Sequence, residues 1–154
     1  MPSFSYVYTS PDTGACLYVG TNEFSSDDVG AAGIRVVVSL HPGPAWLDEP
    51  GSDIRRYERF VEDGDDLPGS ADETAVVAVA QLALAVGDSV LIHCHGGLNR
   101  SAYCAGRLMV DAGMAPEAAV RSLLRARGPE TLVNRIFAAA LLGRPIPEEW
   151  RRRV

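Results

Sequence analysis

Val90-Leu91-Ile92-His93-Cys94-His95-Gly96-Gly97-Leu98-Asn99-Arg100-Ser101 joins an apolar run to a glycine pair and then to an arginine that opens a helical pattern. Ser89 to His93 reads as a short buried strand, and the residues after Arg100 keep helical periodicity to about Gly113. In a strand, tight loop and helix of this kind, successive backbone N–H groups turn inward. With the dipole of the helix N-terminus they form a concave nest that suits a tetrahedral dianion. Gly96 and Gly97 supply the curvature the loop needs.

Five residues separate Cys94 from Arg100. Arg100 can offer two parallel N–H donors to an oxyanion, a fork that lysine does not reproduce, and it places positive charge beside Cys94. A helix terminus and a neighbouring guanidinium both favour the anionic sulfur. A thiolate at the base of such a cradle can attack phosphorus in line, with the same N–H groups holding the equatorial oxygens, so no metal or other cofactor is required. Ser101 can donate a hydrogen bond to the sulfur, and His93 is expected to order the loop backbone. His95, Gly96, Gly97, Leu98 and Asn99 are the expected phosphate- and substrate-binding positions, with His95, Leu98 and Asn99 shaping the pocket.

Outward from this segment the chain alternates strands and helices. Phe4 to Tyr8 and Cys16 to Val19 read as strands joined by the turn Pro11-Asp12-Thr13-Gly14. Ser26 is placed to cap a short helix ending at Gly33, and Ile34 to Leu40 follows as a buried strand. His41 to Asp53 is a loop, Arg55 to Val61 a strand with Tyr57 and Phe60 partly buried, and Glu62 to Gly69 an acidic loop. Ser70 and Glu73 have capping-box spacing ahead of a helix that stops at Gly87. Two more helices are expected, one with Pro116 at its first position and one from about Glu130 to Leu142, followed by an exposed tail. The fold class is therefore α/β: one domain, residues 1–154, with a central, mainly parallel sheet of four to five strands and helices on both faces. Ligands in such folds gather at the carboxyl ends of strands, where Cys94 lies.

The bulk composition narrows the partners. All 14 basic residues are arginine, against 20 acidic ones, giving a formal net charge of -6, a poor balance for binding nucleic acid. No apolar run reaches membrane length, and Met1 to Ser10 lack the charged start and apolar stretch of a secretion signal, so a cytoplasmic protein is expected. Cys16, Cys94 and Cys104 are odd in number and lack Cys-x-x-Cys spacing, which suits reduced thiols rather than disulfides or zinc.

His93, Cys94, Arg100 and Ser101 match the signature His-Cys-x5-Arg-Ser/Thr, and the chain resembles the protein tyrosine phosphatase superfamily in its compact dual-specificity form. Leu17-Tyr18-Val19-Gly20, Gly33 to Val38 and Tyr57 to Asp63 extend the resemblance over roughly the first 110 residues. It implies hydrolysis of phosphotyrosine, and also of phosphoserine or phosphothreonine if the pocket is shallow, through a cysteinyl-phosphate. Phosphorylated protein or peptide would be the substrate, and phosphate, sulfate or vanadate would occupy the Cys94–Arg100 loop. It also implies an aspartic general acid about thirty residues before the cysteine; Asp63 lies thirty-one before it, with Asp65 and Asp66 as rivals.

Other readings stand beside this one. Asn99-Arg100 before a hydroxyl residue also resembles the loop of RNA 5'-triphosphatases, and a phospho-binding module without turnover would keep the same cradle. Cys104 reads as a core thiol, or as a partner that traps an oxidised Cys94. His41, Pro42 and Trp46 either wall the site or form a surface loop. Asn134 resembles a late polar position near the pocket in some relatives, but reads first as a helix-interior residue, and Arg151-Arg152-Arg153 as a solvated end.

Overall fold

The apolar stretches find one another in a single five-stranded sheet in the computed structural model, which describes residues 2–154. The strands are β1 (Phe4–Thr9), β2 (Cys16–Gly20), β3 (Ile34–Ser39), β4 (Arg55–Glu58) and β5 (Ser89–His93), in the order β1-β2-β5-β3-β4. Only β1 and β2 pair antiparallel, as the tight turn at residues 11–14 requires; the other pairs are parallel. The mainly parallel α/β sheet expected from the sequence is what forms, and β5 lies at its centre.

The helices are α1 (Ser26–Ala31), α2 (Ser70–Ala85), α3 (Arg100–Asp111), α4 (Pro116–Arg127), α5 (Arg135–Leu142) and α6 (Glu148–Arg152). Strand alternation divides the core in two. Leu17, Val19, Val36, Val38, Val90 and Ile92 face the larger cluster with α2 to α5, whereas Val37 and Leu91 face a smaller one with Phe24, Val29 and Leu47. Gly106 lets α3 and α5 approach closely, since a Cβ there would lie 2.6 Å from Leu141 Cδ1.

Several boundaries differ from expectation for local reasons. Ser25, not Ser26, caps α1: its Oγ accepts from Asp28 N–H. The loop at 41–53 contains a short 3-10 helix, Ala45–Asp48. Strand β4 ends at Glu58, beyond which single bonds from Arg59 N–H to Ser39 O and from Val61 N–H to Leu40 O guide the chain. Phe60 is 57 % exposed, because Val61 points inward and its neighbour must point out.

The capping box does not form. Gly69 occupies the N-cap of α2, and Glu73 instead accepts from Tyr103 Oη–H at 3.0 Å and pairs with Arg107. The last long helix begins at Arg135 rather than Glu130, with Asn134 as its N-cap. The tail is a docked helix: Trp150 is buried, with the Arg121 guanidinium 4.2 Å above its ring. No helix among the described residues is long and apolar enough to cross a membrane.

Candidate active site

The carboxyl end of β5 delivers His93 and Cys94 to the centre of the sheet edge. His93 is fully buried, with Nε2 2.6 Å from Ser39 Oγ, Nδ1 3.4 Å from the Cys94 carbonyl oxygen, and its ring edge-on to Phe24. Burial, above all, lowers its pKa from 6.5 to about 4, opposed by the Cys94 carbonyl bond and aided by the charges of Arg56 and His41. The ring is neutral at neutral pH. With Nδ1 donating to Cys94 O and Nε2 accepting from Ser39 Oγ–H, one tautomer satisfies both contacts. This is the backbone-ordering role read from the sequence.

Cys94 is 2 % exposed; Gly97 N–H donates to its sulfur at 3.3 Å, and Ser101 Oγ lies within hydrogen-bond distance of the same sulfur at 3.2 Å. The loop's curvature is fixed from outside through its carbonyls. His95 O accepts from Asn22 N–H, Gly97 O from Arg127 Nε–H, and Leu98 O from Leu132 N–H. Carbonyls tied outward leave the amides turned inward, which is how an anion nest is built. Gly97 has φ +68°, and a Cβ there would lie 2.7 Å from the Gly20 carbonyl carbon. Gly96 has neither constraint, so only one member of the glycine pair is required by geometry.

Arg100 is the first residue of α3 and reaches across to the acidic loop, where one terminal nitrogen donates to Val61 O at 3.0 Å. Its Nε–H is buried without a partner among the described residues. Asp63 is brought to the loop although it is exposed. Its Oδ2 accepts from Asn99 Nδ2–H at 2.9 Å and its Oδ1 from Asn134 Nδ2–H at 2.8 Å. Asp65 and Asp66 make no hydrogen bond to the loop among the described residues and instead border a separate hollow with Phe60 and Leu67. His41, two residues beyond β3, stacks edge-on against His95, ring centroids 5.1 Å apart, and so meets the loop.

Sequence reasoning missed Arg127, and it gave Asn134 a place near the pocket only by resemblance, reading it first as a helix-interior residue, whereas it is an N-cap. Asn134 is a helix cap that also reaches Gly64 O and offers its own N–H to Asn99 Oδ1. Arg127 is fully buried on α4, and besides Gly97 O it donates to Pro2 O and Ser5 Oγ. Burial pushes the pKa of this guanidinium down, and the Cys94 sulfur pushes it back up. The spacing of Asn134 just before an apolar helix was the available signal for the cap. A buried arginine within an amphipathic helix leaves no such mark. Cys104, by contrast, sits as read, fully buried on α3, its thiol pushed up by burial first and then by Glu73 and Cys94.

No sequence-family model and no curated protein sequence matches the chain. Solved structures do match over nearly its whole length. A kinase associated phosphatase whose catalytic-site cysteine is replaced by serine superposes with a TM-score of 0.76 at 20 % identity, covering 93 % of this chain and 97 % of its own. Human DUSP28 gives 0.73 at 21 %, covering 99 % and 95 %. TpbA of P. aeruginosa, in complex with pTyr, gives 0.65 at 17 %, covering 99 % and 96 %. The architecture is that of the compact dual-specificity phosphatases.

Proposed function

We propose that this protein is a cysteine-dependent phosphatase, with phosphotyrosine as its first substrate class and phosphoserine and phosphothreonine as the further esters that a shallow pocket admits. The observation that carries this reading is that Gly97 N–H and Ser101 Oγ both meet the buried Cys94 sulfur, in the loop between the end of a strand and the start of a helix; a thiolate there would accept from both. A thiol that merely packs, as Cys104 does, has no reason to gather donors. The pTyr complex of TpbA supports a phosphorylated protein or peptide as partner, and the same cradle suits free phosphate, sulfate or vanadate.

In this reading Cys94 Sγ attacks phosphorus as the ester P–O bond breaks, and Asp63 gives its proton to the leaving oxygen. Arg100 and the inward amides hold the three equatorial oxygens. Asp63 then takes a proton from water as that water attacks the cysteinyl-phosphate. The S–P bond breaks, and the departing thiolate is received by Ser101 and Gly97. Asn99 and Asn134 keep Asp63 facing the loop throughout. Residues 1–154 act as one catalytic domain, and a nucleophilic thiol that must stay reduced fits the cytoplasm.

The test is hydrolysis of a small aryl phosphate in the presence of a chelator, across pH, by wild type, Cys94→Ser and Asp63→Asn. Turnover by wild type, none by Cys94→Ser and loss of the basic limb in Asp63→Asn are expected. An inactive wild type that still binds vanadate or phosphopeptide would replace this reading with a phosphate-binding module.

A further inference from the structure

The carboxyl-terminal helix reaches the catalytic loops through one side chain. Arg151, half-buried on α6, donates to three backbone carbonyls of a single segment: Pro129 O at 2.8 Å, Thr131 O at 2.6 Å and Leu132 O at 2.9 Å. Three carbonyl dipoles converging on one point repel one another, and a planar guanidinium with fanned N–H groups suits such a cluster. Burial of the neighbouring Trp150, with Arg121 and Arg144 over its ring, fixes α6 and hence the origin of that side chain.

The segment Arg151 holds is strained. Leu132, fully buried, has φ +57°, the left-handed region, and no other non-glycine among the described residues shares it. A branched apolar side chain has no local hydrogen bond to favour that conformation, so it persists only where the surroundings impose it. Here they do so from both sides: Arg151 takes the Leu132 carbonyl, and the Leu132 N–H is spent on Leu98 O, in the loop around Cys94, at 2.8 Å. Two residues later, Asn134 N–H donates to Asn99 Oδ1 and Asn134 Nδ2–H to Asp63 Oδ1. One short bracket, residues 129–134, thus touches both the cysteine loop and the aspartate loop.

We infer that Arg151 is a positioning residue: by pinning this bracket it sets Asp63 in register with the Cys94–Arg100 loop. This rests on the phosphatase reading above. Without the guanidinium, Leu132 relaxes out of the left-handed region, its N–H leaves Leu98 O, and Asn134 carries Asp63 off line. The loss then falls on protonation of the leaving group more than on binding of the phosphoryl group.

The experiment compares kcat/KM, which reports the step that expels the leaving group, for phenyl phosphate, whose leaving oxygen needs a proton, with kcat/KM for 4-nitrophenyl phosphate, which needs one less. A change in folded fraction cancels from this ratio, whereas displacement of the acid does not. Arg151→Met is expected to shift the ratio against phenyl phosphate on the order of tenfold, part of the 10²–10⁴-fold that a positioned acid supplies. The shift should be in the direction of Asp63→Asn, with Arg151→Lys intermediate and the exposed Arg153→Met at the wild-type ratio. Arg151→Lys keeps a charge at the site should Arg151→Met fold poorly. A wild-type ratio in both Arg151 variants, with Asp63→Asn shifted, overturns the inference and leaves the phosphatase reading standing. An inactive wild type, or an unshifted Asp63→Asn, overturns the reading beneath it and the inference too.

Discussion

Asn134 Nδ2 lies 2.8 Å from Asp63 Oδ1, across 71 residues of sequence. The same side chain accepts from Ile136 N–H and Phe137 N–H through its oxygen, so one amide caps α5 with one end and steers the candidate acid with the other. The two roles can be separated. Asn134→Ala loses both, costing about 1 kcal/mol of stability for the cap and slowing hydrolysis roughly tenfold. Asn134→Asp keeps the capping oxygen but turns a carboxylate toward Asp63, so melting should stay near wild type while kcat falls at least as far as in the alanine variant. Equal kcat in Asn134→Asp and wild type would sink the steering role.

Gly97 and Gly96 stand side by side in sequence and differ in what they tolerate. At Gly97 a methyl group would meet Gly20 backbone at 2.7 Å and Arg127 Nη2 at 2.9 Å from a left-handed φ, whereas at Gly96 it meets nothing within 4 Å. Gly97→Ala should cost about 1–3 kcal/mol and abolish most turnover, since the amide on Cys94 Sγ must move with its residue. Gly96→Ala should remain within about 0.5 kcal/mol of wild type in urea titration.

Ser101 is fully buried and its oxygen is 3.2 Å from Cys94 Sγ. In the proposed reaction its hydroxyl is placed to receive the sulfur as the S–P bond breaks, so Ser101→Ala should slow the second chemical step more than the first. Stopped-flow mixing with 4-nitrophenyl phosphate should then show a burst of nitrophenol close to one equivalent per enzyme, followed by a slower steady state. A single slow phase with no burst would assign Ser101 to the first step instead.

What the sequence discloses and what it hides divide along a physical line. The strand, the loop and the candidate nucleophile were legible because Cys94, Gly97, Arg100 and Ser101 are neighbours in one segment. The mainly parallel sheet was legible from the alternation of strands and helices along the chain. Glu73 was misread as a cap because capping-box spacing is local while its true partner, Tyr103, comes from α3. Phe60, partly buried on the sequence reading, is exposed because the strand period turns Val61 inward. Arg151 and Arg127 were illegible because their partners are distant in sequence and, Ser5 Oγ apart, are backbone carbonyls, which carry no residue identity to read.

His93 makes the fold itself sensitive to acid. Its folded-state pKa of about 4 lies below the ordinary 6.5, chiefly because the ring is buried, and Arg56 and His41 add to the depression. Above pH ~6.5 the ring is neutral in both folded and unfolded chains and contributes no pH dependence. Between ~6.5 and ~4 the unfolded chain binds the proton and the folded one does not, so stability falls as pH falls, by about 2 kcal/mol at pH ~5. Urea titrations from pH ~7.5 to ~5 should show this decline in wild type. His93→Gln should start less stable, because Ser39 and the Cys94 carbonyl lose their ring partner, but should run flatter across the same window. Parallel slopes for the two proteins would place the acid sensitivity elsewhere in the molecule.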